Sequence, residues 1–166
     1  MNDTLDYCIE NTRNLTGNFI ELGVYKGDSA KEIYERMPRG KILFLLDTFT
    51  GHPCHAECDS EEHPIGRYAD VDLGEVVGRL NHPNVVIISG DIRETMKTLD
   101  CEEFAFAHVD VDQYESTKAA IEFLLPRMTE GGIIRFDDYG YVSGATKAVD
   151  ELIGKHNLLN DRLMIV

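Results

Sequence analysis

Six short runs rich in branched apolar residues punctuate the chain: Asn18 to Leu22, Lys41 to Leu46, Asn84 to Ser89, Phe104 to Val109, Gly132 to Phe136, and Arg162 to Val166. A half-exposed strand alternates apolar and polar residues, so near-continuous apolar runs predict strands covered on both faces. Between them apolar residues recur at helical spacing, at Ala30, Ile33, Tyr34 and Met37, at Ala119, Ala120, Phe123 and Leu124, and at Ala145, Ala148, Val149, Leu152 and Ile153. Strand alternating with helix predicts an α/β fold built on a doubly wound, mostly parallel sheet. There is no repeat, low-complexity tract or linker, and 166 residues bury one substantial core. A single domain over 1–166 is the expectation.

Ligands of such sheets bind outside the carboxyl ends of the strands. The residues at those ends are Glu21 to Gly27, Asp47-Thr48-Phe49, Gly90-Asp91, Asp110-Val111-Asp112 and Asp137-Asp138-Tyr139, so nearly every strand end carries a carboxylate. The chain as a whole has 30 acidic and 16 basic residues, a formal charge of −14, which repels polyanions and argues against nucleic acid or an anionic membrane surface as partner. Hydrophobic residues make up 43%, ordinary for a folded protein, so the acidity does not signal disorder. No stretch has the length of a membrane span, and the first ten residues lack a signal core, which reads as a soluble, cytoplasmic chain. The four cysteines are too scattered for a disulfide framework.

The first turn, Glu21-Leu22-Gly23-Val24-Tyr25-Lys26-Gly27-Asp28-Ser29, has G-x-x-x-G spacing and lacks the dinucleotide fingerprint, which counts against NAD. A plain tight turn is the alternative to a ligand loop there. Asp47 stands where nucleotide-binding sheets place an acid on ribose hydroxyls. Asp91 is either an acceptor for an adenine amino group or the N-cap of the helix beginning near Ile92. Adjacent strands bring Asp110, Asp112, Asp137 and Asp138 to one crevice, where unpaired like charges repel strongly and a divalent cation relieves them. Oxygen-only ligands favour Mg²⁺, Mn²⁺ or Ca²⁺ over zinc. The competing reading makes Asp112 a helix cap and Asp137-Asp138 a solvated turn.

Six blocks in this order, FIELGVYKGDSA, DTFTG, GDIRETM, HVDVDQYEST, EGGIIRFDDYG and GATKAVDEL, resemble the macrocin O-methyltransferase family. The resemblance implies the class I methyltransferase (Rossmann-like) fold, S-adenosylmethionine as cofactor, a divalent metal, Mg²⁺ or Mn²⁺, and a small-molecule hydroxyl acceptor, a sugar or glycosylated metabolite. Carried over, it implies that Glu21, Gly23, Tyr25, Gly27 and Ser29 surround the methionine half of the cofactor. Asp47, with Thr48 and Phe49, would hold the ribose, and Asp91 and Ile92 would border adenine. Asp110, Asp137 and Asp138 would be metal ligands and Asp112 the general base.

Thr50 and His52 stand where the family has Glu and Phe, and Arg135 interrupts an otherwise apolar strand. Against the family's sheet the chain reads as shortened at both ends, with an exposed edge that predicts pairing into a homodimer. Residues 50–72 form a long connection expected to act as a lid over the substrate cleft. It contains His52, Cys54, His55, Cys58 and His63, a loose set for zinc without a second cysteine pair. His108, beside the acidic pair, reads as an ordered strand-end residue. Two other functions compete with methyl transfer: a non-catalytic S-adenosylmethionine-binding module, and a metal-dependent hydrolase, which the absence of a phosphate-cradling loop disfavours.

Overall fold

The computed structural model describes residues 3–159 and 162–166. Its strands are β1 (Asn18–Leu22), β2 (Leu43–Asp47), β3 (Val85–Ser89), β4 (Phe104–Val109), β5 (Met128–Phe136) and β6 (Leu163–Ile165). They form one sheet in the order β3-β2-β1-β4-β5-β6. The first five run parallel, and β6 pairs antiparallel with β5 through Ile133–Ile165 and Arg135–Leu163. The helices are α1 (Asp3–Thr12), α2 (Asp28–Arg36), α3 (Leu73–Leu80), α4 (Ile92–Thr95), α5 (Tyr114–Leu124) and α6 (Ser143–Leu152). No helix of the described residues is long and apolar enough to cross a membrane.

All six apolar runs are strands. The widest departure is β5, which starts at Met128 rather than Gly132. Its first residues, Met128-Thr129-Glu130-Gly131, are not an apolar run, and they pair past an irregularity where Phe104 meets Met128 but Phe106 meets Ile133. Gly131, at φ 79°, makes that bulge possible. The α1 helix had a signal in Leu5, Cys8, Ile9 and Thr12, now all buried at helical spacing.

Alternation of side chains along each strand divides the core in two. Ile20, Leu22, Phe44, Leu46, Ala107, Val109, Ile134 and Phe136 pack with Ile92, Ala120, Ile121, Leu124 and Val149 from α4, α5 and α6. Phe19, Leu43, Leu45, Phe106 and Ile133 pack on the other face with Leu5, Ile9, Ala30, Ile33, Val76 and Leu80 from α1, α2 and α3. Helices cross from one face to the other between β1 and β4, so the connections after these neighbouring strands diverge and leave a crevice at their carboxyl ends.

The crevice floor depends on one glycine. Gly23 follows β1 at φ 87°, and a Cβ built there would sit 1.7 Å from the Asp110 carbonyl oxygen at the end of β4. Backbone atoms on both sides cannot yield to that overlap. Gly23→Ala is expected to cost about 2 to 4 kcal/mol, read as a fall in the urea midpoint with unchanged m.

Candidate active site at the carboxyl edge of the sheet

The turn after β1 is clasped by the end of β2. Asp47 Oδ2 accepts from the amides of Val24 (2.7 Å) and Tyr25 (2.8 Å), and its Oδ1 accepts from Phe49 N (2.7 Å). Tyr25 and Phe49 have φ of 49° and 52°, a conformation that non-glycine residues adopt only when the surroundings over-determine it. Asp47 supplies that determination, fixing both turns as one wall. Oδ2 is filled by its two amides, which leaves Oδ1, with the Thr48 hydroxyl at 3.4 Å, as the oxygen able to turn toward a diol.

Beneath this wall a row of ionisable side chains crosses the sheet. Glu21 on β1 registers with His108 on β4, and His108 with Arg135 on β5. All three are buried on the face covered by α1, α2 and α3. Arg135 donates from Nη1 to the His108 ring (3.0 Å to Nδ1), and its Nη2 lies 2.5 Å from Asp137 Oδ1. Burial, and then the guanidinium, depress His108 to a pKa of about 3, so the ring is a neutral acceptor. Glu21 is pushed up to about 8 by burial, opposed by the Ser29 hydroxyl. No well-aligned hydrogen bond reaches either of its oxygens, and His108 Nε2 stands 3.7 Å away.

At the ends of β4 and β5, Asp110, Asp137 and Asp138 each offer an oxygen within 4.8 Å of the others. Burial, followed by the charges of Asp138, Asp137 and Asp112, raises the Asp110 carboxyl well above its ordinary range. Burial and then Asp112 raise Asp138 to about 7. Asp138 Oδ2 accepts from the amide of Asp112 (2.8 Å), which holds that residue at φ 58°. An all-oxygen trio in which Asp110 and Asp138 resist ionisation fits a hard divalent cation, which would restore their charged forms.

The connection 50–72 docks across the opening. Asp59 is buried; its Oδ2 accepts from Ala56 N (2.7 Å) and its Oδ1 from Tyr114 N (2.8 Å) at the start of α5. Gln113 Nε2 donates to the Cys54 carbonyl, and Ser143 Oγ to the Cys58 carbonyl (2.8 Å). Further along, Tyr25 Oη and Lys26 Nζ both reach Asp70, at 2.8 and 2.7 Å. His52 and His63 meet Asp112 at 3.0 and 3.1 Å.

Together these walls enclose a cleft of about 380 Å³, the size of a small-molecule site. Gly23, Tyr25, Ser29, Asp47, Thr48 and Ile92 line it, as do Asp110, Asp112, Asp137 and Asp138. Glu21 lies below the lining, and Gly27, Phe49 and Asp91 lie outside it. Gly27 is the left-handed N-cap of α2. Asp91 caps α4 through Arg93 N (3.0 Å) and pairs with the Arg93 guanidinium, so the capping alternative weighed from sequence is present. The cleft also gathers residues that the sequence reading did not assign, Tyr68 and Ser116 among them. Nothing in spacing announces Tyr68, because it arrives from the long connection.

The model for "Macrocin-O-methyltransferase (TylF)" matches residues 2–165. The chain belongs to the macrocin O-methyltransferase family. It is 27% identical over 180 residues to the 8-demethyl-8-(2,3-dimethoxy-alpha-L-rhamnosyl)-tetracenomycin-C 4'-O-methyltransferase of Streptomyces olivaceus, covering 94% of this chain and 66% of that relative. It thus spans about two thirds of the length of the curated relatives it matches, 66% to 70%. Its fold is that of the calicheamicin methyltransferase CalS11, with a TM-score of 0.81 at 24% identity over 98% of this chain and 77% of that one. An apo structure describes CalS11 as a TDP-rhamnose 3'-O-methyltransferase. MycE methyltransferase from the mycinamycin pathway, in complex with Mg and SAH, shares the fold at a TM-score of 0.54 and 15% identity over 82% of this chain and 32% of its own. The sheet is therefore the class I methyltransferase sheet, as expected from the motifs of this macrocin O-methyltransferase family member.

Glu21 makes a stability test available. Its pKa rises from 4.5 in the unfolded chain to about 8 in the fold, so the native state holds its proton more tightly. That contribution is complete below pH 4.5, falls as pH rises through 8, and is flat above. Glu21→Gln should match the wild type near pH 4.5 and exceed it by about 1 to 4 kcal/mol at pH 8.5. Unfolding free energies across that range, taken as the difference between the two proteins, check it.

Proposed function

We propose that the chain is an S-adenosylmethionine-dependent O-methyltransferase that uses a divalent cation, Mg²⁺ or Mn²⁺, to methylate a sugar hydroxyl of a glycosylated small molecule. The observation that carries the reading is the convergence of Asp110, Asp137 and Asp138 beside Asp112, on a crevice whose opposite wall is the Gly23–Ser29 turn. Membership in the family supports it, as do the sugar acceptors in the names of the tetracenomycin relative and CalS11 and the Mg and SAH held by MycE.

In this reading Gly23, Tyr25 and Ser29 border the methionine half of the cofactor and Asp47 and Thr48 its ribose, with Ile92 under the adenine. Gly27, Phe49 and Asp91 act from behind the lining, by shaping the turns that carry it. Glu21, held neutral by burial, becomes ionised when a cofactor bearing ammonium and sulfonium charges binds above it. The 50–72 connection covers the acceptor.

Reaction requires an oxygen to attack the methyl carbon while the carbon–sulfur bond breaks and its electron pair goes to sulfur. Asp112 accepts the hydroxyl proton as the attack proceeds. Its carboxylate is aimed by the Asp138 contact at its amide and by His52 at 3.0 Å. A divalent cation on the three carboxylates supplies positive charge that makes a neighbouring hydroxyl easier to deprotonate. Walls that held oxygen and methyl in line would add to this, since good orientation alone recovers roughly 7 to 11 kcal/mol of barrier.

Both S-adenosylmethionine and its demethylated product should raise the melting temperature, and nucleotides should not. Asp112→Asn is expected to keep that stabilisation while turnover of a rhamnosylated acceptor drops about 100-fold or more, the usual worth of a general base. Loss of cofactor stabilisation in the wild type would end the proposal. Because Asp138 holds a proton up to about pH 7, a cation must displace it. Mg²⁺ affinity should therefore rise with pH through 7 and level above it, with proton release seen by calorimetry in buffers of different ionisation enthalpy.

A further inference from the structure

The segment over the cleft brings two imidazoles to one carboxylate. His52 Nε2 lies 3.0 Å from Asp112 Oδ2, and His63 Nδ1 lies 3.1 Å from Asp112 Oδ1. The rings face one another with centroids 5.7 Å apart and planes 17° from parallel. One nitrogen of each ring and an oxygen of Asp112 fall within 4.8 Å of each other.

Hydrogen bonding accounts for only half of this arrangement. The His52–Asp112 pair is aligned as a hydrogen bond. His63 Nδ1 is not: it is buried and without a hydrogen-bond partner despite its 3.1 Å approach to the carboxylate. His52 Nδ1 is likewise buried and unpartnered. Atoms that crowd together without pointing along a shared donor–acceptor axis are arranged like ligands around a common centre. With metal–nitrogen and metal–oxygen bonds of about 2.0 to 2.1 Å, neighbouring ligand atoms stand about 2.9 Å apart at a right angle and about 3.3 Å apart at the tetrahedral angle. The observed 3.0 Å to Oδ2 and 3.1 Å to Oδ1 each fall between these limits, so the carboxylate can serve such a centre through either oxygen.

We propose that His52, His63 and Asp112 form a second cation site, for a divalent transition metal of the zinc type, distinct from the all-oxygen set of Asp110, Asp137 and Asp138. Two imidazoles and a carboxylate suit Zn²⁺, Co²⁺ or Fe²⁺ and are poor ligands for Mg²⁺. Three protein ligands leave a coordination position open. It faces the cleft, since His52 and Asp112 both line that space. The cysteines of the same segment take no part: Cys54 Sγ turns to Gln113 Oε1 at 3.3 Å, and neither Cys54 nor Cys58 falls in the group formed by His52, His63 and Asp112. The metal would tie two points of the connection, residues 52 and 63, to the end of β4. It would also occupy the carboxylate that receives the proton in the methyl-transfer reading, so zinc is expected to inhibit where magnesium supports. The site itself is read by metal binding alone and stands or falls independently of that activity.

The test uses untagged, chelator-stripped protein titrated with Co²⁺ in excess Mg²⁺, which fills the oxygen-only set. The expected result is one Co²⁺ per chain with visible d–d absorption. Affinity should fall at least tenfold in both His63→Ala and His63→Gln, whose folding is checked by circular dichroism, and should be retained in Asp137→Asn. Absence of Co²⁺ absorption in the wild type, equal binding by the His63 variants, or loss confined to Asp137→Asn would each overturn the proposal.

Discussion

One buried guanidinium holds the acidic edge of this sheet together. Arg135 reaches His108 with one nitrogen and Asp137 with the other, and Arg162 adds a longer contact to Asp137 at 3.9 Å from outside. Glu21, Asp110 and Asp138 all have raised pKa values: burial exceeds what Arg135 offsets at Glu21, and burial with mutual repulsion raises the two aspartates. Protons are therefore favoured at this edge, and in the proposed reading a positive ligand would take their place. Folding and ligand binding draw on the same electrostatic deficit.

The fold was legible because its signal is redundant. Each strand is an apolar run between helical patterns, and the core on either face follows from alternation. Boundaries failed where geometry departs from that alternation, as at Gly131, whose bulge lets β5 begin among polar residues. Arg135 read as an interruption of an apolar strand and is one, but its register with His108 and Glu21 turns the interruption into a row of partners.

The site was legible in proportion to its closeness to strand ends. Asp110, Asp137 and Asp138 follow β4 and β5, so topology alone placed them together. Asp47 reaches the cleft lining for the same reason, although sequence could not show that its oxygens already serve the amides of Val24, Tyr25 and Phe49. The contributions of residues 50–72 were least accessible. His52, His63 and Tyr68 reach the cleft from a segment without regular structure, where no periodicity fixes which side chains turn inward.

That segment is fastened where it matters for α5. The first amide of α5, at Tyr114, has no partner within its own helix and is satisfied by Asp59, whose carboxylate also lies against Gly144 so closely that a Cβ there would overlap it at 1.8 Å. The middle of the segment is thus a structural strap shared by α5 and α6 rather than a freely swinging cover. Lifting it would strip α5 of its cap and fray the turn next to Asp112. Opening of the cleft on this side is in this way geared to the breathing of a helix end, so the scaffold and its cover loosen together.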